Sequence, residues 1–184
     1  ENALQKSRQN ASAFSYALTR DETAERKAAA FLLGDNLERT TQGGGIYTYT
    51  SQQGAAAFRD TGSFDAAGSL SQENAEAFCR DFCKAFSYDT PIFTLDETGS
   101  GTATAVRLWN GTPVFNAAVT FIIDQGRVLS ASGALLPETG AETSSGQKPL
   151  SAFAALTAFQ QMRHESSSVV SSITEVSLCY ELQS

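Results

Sequence analysis

The stretch TATAVRLWNGTPVFNAAVTFIIDQGRVLSASGALL, residues 102–136, decides the fold class, because it holds three strand-like runs separated by two turn signals. The first signal, Asn110-Gly111, is the strongest short hairpin signal in a sequence, since both central positions of such a turn need positive φ. The second signal is Gln125-Gly126. The stretch therefore predicts three consecutive antiparallel strands.

The middle run predicts a strand with one buried side. Its apolar residues recur at every second position, which is the alternation of a strand that packs on a core. Asn116 and Thr120 point the other way, so we expect one side of the sheet to face the core and the other to be at least partly exposed to solvent. The residues expected on the core side are Phe115, Ala117, Val119, Phe121 and Ile123.

The N-terminal part of the chain predicts two helices. Apolar residues at roughly helical spacing within residues 2–18 indicate a moderately amphipathic helix. Thr19 and Glu22 have the spacing of a capping box, in which a hydroxyl and a carboxylate accept hydrogen bonds from free backbone N–H groups. Because Gly34 suits a helix end, a second helix is expected over about 20–33.

Residues 41–68, TQGGGIYTYTSQQGAAAFRDTGSFDAAG, predict a small antiparallel meander of three short strands, because Tyr and Thr alternate between repeated glycines and polar turns. Ser71 is the expected cap of a helix that runs to about Phe86. That helix ends by Thr90-Pro91, since a residue before proline avoids helical geometry. The strand IFTLDE then follows, so a helix followed by strands is predicted twice.

The predicted fold class is α+β, built of repeated units in which a helix packs on a small antiparallel sheet. The third of these units is expected to hold a helix from Pro149 and one final strand. The expected divisions are an N-terminal helix over 1–19, a main region of two helix-plus-strands units over 20–137, a polar loop or linker over 138–148, and a third, truncated helix-plus-strand unit over 149–184.

The charge balance excludes some classes of partner. The chain has 184 residues, 13 Lys and Arg against 20 Asp and Glu, and a formal net charge of −7. Nucleic acid needs a basic face that displaces counterions, and an anionic membrane surface also attracts basic segments, so neither partner is expected. The longest strongly apolar run, residues 117–123, is far shorter than the roughly 20 residues of a membrane-spanning helix.

The stretch AFCRDFCKAF, residues 77–86, holds two of the three cysteines. Both fall in an apolar stripe at helical spacing. A zinc site needs four ligands, and a disulfide between positions i and i+4 of a helix has unsuitable geometry. We therefore expect two buried, inert thiols, with metal or redox work as the alternative. The stripe comprises Ala75, Phe78, Cys79, Phe82, Cys83 and Phe86.

Three other patterns resemble functional motifs only in part. His164, beside Glu165, suggests a catalytic set, but adjacent residues of a helix point in different directions, so a surface histidine at a helix end is expected. Gly43-Gly44-Gly45 lacks the Lys-Ser/Thr and the following helix of a phosphate loop and is expected to lead into a strand. Asp21-Glu22 and Asp96-Glu97 match no calcium loop and are expected at a helix start and a turn. No catalytic, cofactor-binding or metal-binding residue is assigned.

Tyr47, Tyr49 and Trp109 are the side chains assigned to contact with a partner. The two tyrosines lie two residues apart on one strand face, and Trp109 stands beside the Asn-Gly hairpin. Such residues are enriched at interaction surfaces. Packing in the core or on the sheet face is the alternative role.

Two stretches carry a set of shared motifs: YTYTSQQGAAAFRDTGSF, residues 47–64, and WNGTPVFNAAVTFIIDQGRVLSASGALLP, residues 109–137. Together they resemble the extracytoplasmic regulators of the YycI/YycH type from Gram-positive bacteria. The resemblance covers most of residues 20–137 and, more weakly, residues 150–183. The motifs are a Tyr-x-Tyr strand, Phe58-Arg59 before Gly62 and Phe64, the Asn-Gly hairpin leading into Val114-Phe115-Asn116, and a strand with Gly126 and Ser132-Gly133.

The resemblance implies PepSY-like units, a single-pass membrane anchor before Glu1, further strands after Ser184 and a location outside the cytoplasmic membrane. It implies a non-catalytic protein that modulates a cell-wall sensor histidine kinase by contact, with a homologous regulator as a further partner and no cofactor. Two alternatives stay open. One is an extracellular hydrolase, or a peptidase-associated or inhibitory PepSY-like module; the enzyme version would need His164 or Cys79 as its reactive residue. The other is a cell-wall glycan-binding module, in which Trp109 and the tyrosines would stack on sugar rings.

Overall fold

The structure, a computed structural model, describes residues 13–71, 74–137, 140–147, 154–159, 161 and 179–181. The chain divides into two compact units. The larger unit contains residues 19–138 and 179–184, and the smaller unit contains residues 1–18 and 139–178.

The described part of the larger unit is built of two helices and one antiparallel sheet of eight strands. The helices are α1 (Glu22–Leu33) and α2 (Ala75–Ala85). The strands among the described residues are β1 (Ala13–Ala17), β2 (Glu38–Thr41), β3 (Ile46–Ser51), β4 (Gly54–Arg59), β5 (Ser63–Gly68), β6 (Ile92–Leu95), β7 (Gly101–Trp109), β8 (Thr112–Asp124), β9 (Arg127–Ala134) and β10 (Ala141–Gln147).

The order of the strands in the large sheet is β2-β3-β4-β5-β9-β8-β7-β6. Helix α1 is followed by the meander β2 to β5, and α2 is followed by the meander β6 to β9. The predicted α+β class is confirmed, and a helix followed by strands is observed twice, as predicted. Separate small sheets were predicted wrongly, because β5 and β9 pair with each other and join the two meanders into one sheet.

The stretch 102–136 forms the three strands that its turn signals predict, β7, β8 and β9. At the first turn, Asn110 has a φ of 49° and Gly111 a φ of 76°. At the second, Gln125 has a φ of 48° and Gly126 a φ of 74°. Both central positions of each turn therefore lie in the left-handed region that two-residue hairpins of this kind require.

Strand β8 departs from the predicted alternation near its start. Phe115 is 76% exposed, whereas its neighbour Val114 is 3% exposed. A register shift against β7 lies at this point, and the extra residues of β8 form an irregular bulge that turns Phe115 to solvent. The prediction that Phe115 faces the core is wrong, whereas the other four residues predicted there are buried. The pairs on either side of the shift are Val106 with Ala118 and Leu108 with Pro113.

Helix α1 begins at a different cap from the one predicted. The side chain of Asp21 accepts hydrogen bonds from the backbone N–H groups of Thr23 and Ala24, at 3.0 Å each. A carboxylate at this position accepts hydrogen bonds from the free N–H groups, and its negative charge interacts favourably with the positive end of the helix dipole. The capping box at Thr19 is therefore wrong, but the predicted helix end at Gly34 is confirmed.

Helix α2 also begins later than predicted. Asn74 is its cap and accepts a hydrogen bond from the backbone N–H of Ala77 at 3.1 Å. Ser71, the predicted cap, instead accepts a hydrogen bond from the backbone N–H of Val128 in β9. A contact between segments distant in sequence thus uses the hydroxyl that the local pattern assigned to the helix.

The three strands predicted over 41–68 are confirmed as β3, β4 and β5, and the first meander has one further strand before them. The additional strand is β2, which begins at Glu38 and has every residue exposed. No apolar alternation therefore indicates it in the sequence. Gly43-Gly44-Gly45 follows β2, and all three have positive φ, which confirms the expected role of this run as the entry to a strand.

The smaller unit contains a pair of strands where no strand was predicted. Strand β1 lies in the predicted N-terminal helix of 1–19, and β10 lies in the predicted linker of 138–148. They pair in antiparallel orientation, so both predictions are wrong for the described residues. Strand preference depends strongly on the partner strand, and pairing between distant segments overrides a weak helical pattern. Residues 1–12 lie outside the described residues.

The predicted third unit, 149–184, is described in part. Residues 154–159 and 161 are helical, as expected. Tyr180, in the larger unit, forms an isolated parallel bridge with Val114 at the bulge of β8, and its backbone N–H donates a hydrogen bond to the carbonyl of Pro113 at 2.8 Å. The rest of the predicted final strand lies outside the described residues.

The core of the larger unit lies between one side of the sheet and the two helices. Phe82 of α2 is 0% exposed and stands at its centre. Five other aromatic rings have centroids 4.6 to 6.1 Å from that of Phe82. They belong to Phe31, Phe64, Phe86, Tyr88 and Phe121.

Candidate interaction surface

Helix α2 presents its predicted apolar stripe to the core. Cys79 and Cys83 are 0% and 2% exposed, and both are free thiols. Burial raises the pKa of each thiol to about 12. Because the thiolate is the nucleophile and metal ligand, these thiols are held in their unreactive form at neutral pH. The prediction that the two cysteines are buried is confirmed.

We expect a thiol reagent to separate Cys179 from Cys79 and Cys83. Cys179 is exposed, so under native conditions at about pH 8 it reacts first, while burial protects the helical pair. Mass spectrometry of peptides from the labelled protein gives the reacted sites. The control is the same reaction in denaturant, where all three thiols react. Rapid native labelling of Cys79 or Cys83 would contradict the packing of α2.

The remaining polar motifs take the places expected of them where the structure describes them. Asp96 caps a tight turn: the hydroxyl and backbone N–H of Thr98 and the N–H of Ser100 donate to it and lower the pKa of its carboxyl. Within the described ranges, no group of three or more His, Cys, Asp or Glu residues is placed so that it could hold a metal ion. No helix of the described part is long and apolar enough to span a membrane. His164 lies outside the described residues.

The aromatic residues assigned to a partner contact lie mainly in the interior. Tyr49 is 2% exposed and packs against Phe58 with ring centroids 5.7 Å apart, and Trp109 is 6% exposed. Tyr47 is partly buried, with the guanidinium of Arg20 at 3.3 Å from its ring centroid. Burial thus favours the core alternative for Tyr49 and Trp109. It also leaves Trp109 poorly placed to stack on a sugar ring.

A charged cluster that sequence reasoning missed lies beside Tyr47. Glu25 is 5% exposed and accepts two hydrogen bonds from Arg20, at 2.6 Å each, which raise the pKa of that guanidinium. Arg39 of β2 pairs with Glu22 at 2.7 Å and lies 5.3 Å from the ring of Tyr47. The cluster ties the first turn of α1 to β2 and β3, so its role is structural. Arg20 and Glu25 are five residues apart, a spacing that no helical pairing rule would have indicated.

The side of the sheet away from the helices carries the best candidate surface. Across β6 to β9, the opposed residues Ile92, Thr104, Thr120 and Ser132 form a continuous row. Their neighbours along each strand face the core, since successive side chains of a strand alternate. We call the following ten residues the neutral face: Ile92, Thr94, Thr102, Thr104, Val106, Ala118, Thr120, Ile122, Ser130 and Ser132.

The neutral face contains no ionisable side chain and several exposed apolar ones. Ile92, Val106 and Ile122 are 75%, 37% and 45% exposed. The face ends at Asp65 of β5, which lies opposite Ser132 and forms an ion pair with Arg59. In a chain with a net charge of −7, an uncharged surface with exposed apolar side chains is typical of a site for another macromolecule.

Comparisons with models of known protein families, with curated proteins and with solved structures give no match to this chain. The class that the described residues define is an α+β protein in which two helices cover one side of an eight-stranded antiparallel sheet. The other side of that sheet presents the neutral face.

Proposed function

We propose that this chain is the outer part of a non-catalytic, membrane-anchored regulator, which acts outside the cytoplasmic membrane by contact with a cell-wall sensor histidine kinase. Its two halves, α1 with β2 to β5 and α2 with β6 to β9, would be PepSY-like units. The motifs that resemble YycI/YycH-type regulators lie in β3 to β5 and in β7 to β9, so the resemblance bears on both halves.

The observation that carries the proposal is the neutral face. Protein interfaces are depleted of charge at their centres, and the neutral face is uncharged while β2 to β5 carry Glu38, Arg59 and Asp65 on the same side. The burial of Cys79 and Cys83 also favours contact over thiol chemistry. The neutral face therefore takes the contact role that the sequence assigned to Tyr47, Tyr49 and Trp109.

Replacing Ile122 tests the proposed contact. Ile122→Lys places a charge in the neutral face and is expected to weaken binding to the purified extracytoplasmic domain of a cell-wall sensor histidine kinase by about 10-fold or more, because a buried unpaired charge is costly in an interface. Isothermal titration calorimetry measures the affinity. The matched control is Ala55→Lys, an exposed position on the same side of the sheet in β4, which is expected to bind like the unchanged protein.

Two results would contradict this proposal. One is no detectable association of the folded, unchanged protein with the kinase domain. The other is an equal loss of binding in Ile122→Lys and Ala55→Lys, which would mean that net charge rather than the neutral face controls the contact.

A further inference from the structure

The two edges of the eight-stranded sheet differ in charge. Strand β2, at one edge, carries Glu38 and Arg39, and charged side chains on an edge strand prevent pairing with another chain. Strand β6, at the other edge, has the sequence IFTL and no ionisable group. Its first residue, Ile92, is 75% exposed. One edge of the sheet is therefore protected by charge and the other is not.

The backbone of β6 has free hydrogen-bonding positions on its outer side. Just after β6, the N–H of Asp96 donates to the carbonyl of Ser100 at 2.9 Å. Hydrogen bonding alternates along a strand of an antiparallel pair, so Thr94 and Ile92 bond toward β7, while Phe93 and Leu95 direct their N–H and C=O groups outward. No strand of the described chain pairs with that side of β6.

We infer that β6 pairs in antiparallel orientation with β6 of a second copy of this chain, about a two-fold axis at Phe93. In this register the two Phe93 residues exchange both of their outward backbone hydrogen bonds. Ile92 lies opposite Thr94 of the other copy, and both stay on the same side of the joined sheet. Each Ile92, which faces Thr104 of β7 in a single copy, thus gains a second cross-strand neighbour on its outer side.

The sequence of β6 fits a second copy because, in this register, every residue of IFTL faces an uncharged residue of the other copy. Two chains of net charge −7 repel each other, and β6 offers an edge without charge at which they can meet. Arg80 lies 5.5 Å from the ring of Phe93 but is ion-paired with Glu76 at 2.9 Å, so it adds no net charge at the axis. Pro91, which lacks an N–H, limits the pairing to a few hydrogen bonds.

The short length of β6 sets the strength of the interaction. Four paired residues on each side bury far less than the roughly 800 Å² per partner of a standard interface. The dimer is therefore weak and depends on concentration. This inference rests on β6 alone and stands whether or not the chain contacts a kinase.

Analytical ultracentrifugation of the full chain, in a concentration series up to about 1 mM, tests the dimer. The unchanged protein is expected to shift from monomer to dimer, and Ile92→Lys is expected to remain monomeric, since a lysine on an edge strand opposes pairing. The matched control, Phe115→Lys, changes the charge equally at a residue that is 76% exposed on β8, and it is expected to dimerise normally. A monomer at every concentration, or a dimer unaffected by Ile92→Lys, would overturn the inference.

Disulfide trapping tests the register. In a Cys179→Ser background, a mixture of Ile92→Cys and Thr94→Cys proteins is expected to form an interchain disulfide under mild oxidation, at least 5-fold faster than either protein alone. The two residues face each other only between copies, at about 4.5 Å between Cα atoms, which is within the range that a disulfide spans. Equal rates in the mixture and in the separate proteins would overturn the Phe93 register.

Discussion

Phe82→Ala is expected to lower the free energy of unfolding by about 3 to 5 kcal/mol, the usual cost of truncating a fully buried phenylalanine. Phe82 is 0% exposed, and rings from α1 and from both meanders surround it. The cavity left by the missing ring would lie between α2 and the sheet, where backbone hydrogen bonds restrict any collapse. Loss of this ring therefore weakens packing in both halves at once.

Urea denaturation followed by circular dichroism measures this loss, with the midpoint and the slope compared to those of the unchanged protein. The matched control is Phe115→Ala, which removes the same side chain from a position that is 76% exposed. That substitution is expected to change the free energy of unfolding by less than about 0.5 kcal/mol. Similar losses in the two variants would contradict the assignment of Phe82 to the centre of the core.

The elements with strong local signals could be predicted from the sequence. The Asn-Gly and Gln-Gly turns specify positive φ at two adjacent residues, which leaves few alternatives to a hairpin. The stripe around Cys79 and Cys83 recurs at helical spacing over a whole helix, so its burial on a sheet follows from the pattern. Both signals are local, and the structure confirms both.

The elements that depend on distant partners could not be predicted. Strands β1 and β10 pair with each other; β1 has only five residues, and the polar sequence of β10, AETSSGQ, has no apolar alternation. Ser71 is a residue type that often caps helices, but its hydroxyl instead accepts a hydrogen bond from the backbone N–H of Val128 in β9. Phe115 followed the alternation of β8 until a bulge opposite β7 turned it outward. In each case a long-range contact overrides the local preference.

The candidate surface was visible in the sequence only in part. The alternation in β8 indicated that one side of the sheet is exposed to solvent. It did not indicate which residues of the other strands lie on that side. Only the strand order brings Ile92, Val106 and Ile122 to one side of the sheet. Residue type alone predicted a partner-contact role for Tyr49 and Trp109, but both side chains pack in the interior.

The other large effect is expected at Gly133, where the two halves of the sheet join. Gly133 of β9 lies opposite Phe64 of β5 and opposite Val119 of β8. A Cβ at this position would lie inside van der Waals contact distance of the backbone carbonyl of Ala118. Because a backbone atom in a central strand cannot move aside as a flexible side chain can, even one methyl group forces β8 and β9 apart.

Gly133→Ala is therefore expected to lower the free energy of unfolding by about 3 kcal/mol, at the upper end of what overpacking usually costs. Gly126→Ala is the matched control, since Gly126 has a φ of 74° and no atom within 4 Å of a Cβ. Its expected cost is about 1 kcal/mol, from the left-handed backbone alone. Urea denaturation of both variants compares steric overlap with backbone strain. A loss at Gly133 no larger than that at Gly126 would mean that β8 and β9 are not held as closely as the structure has them.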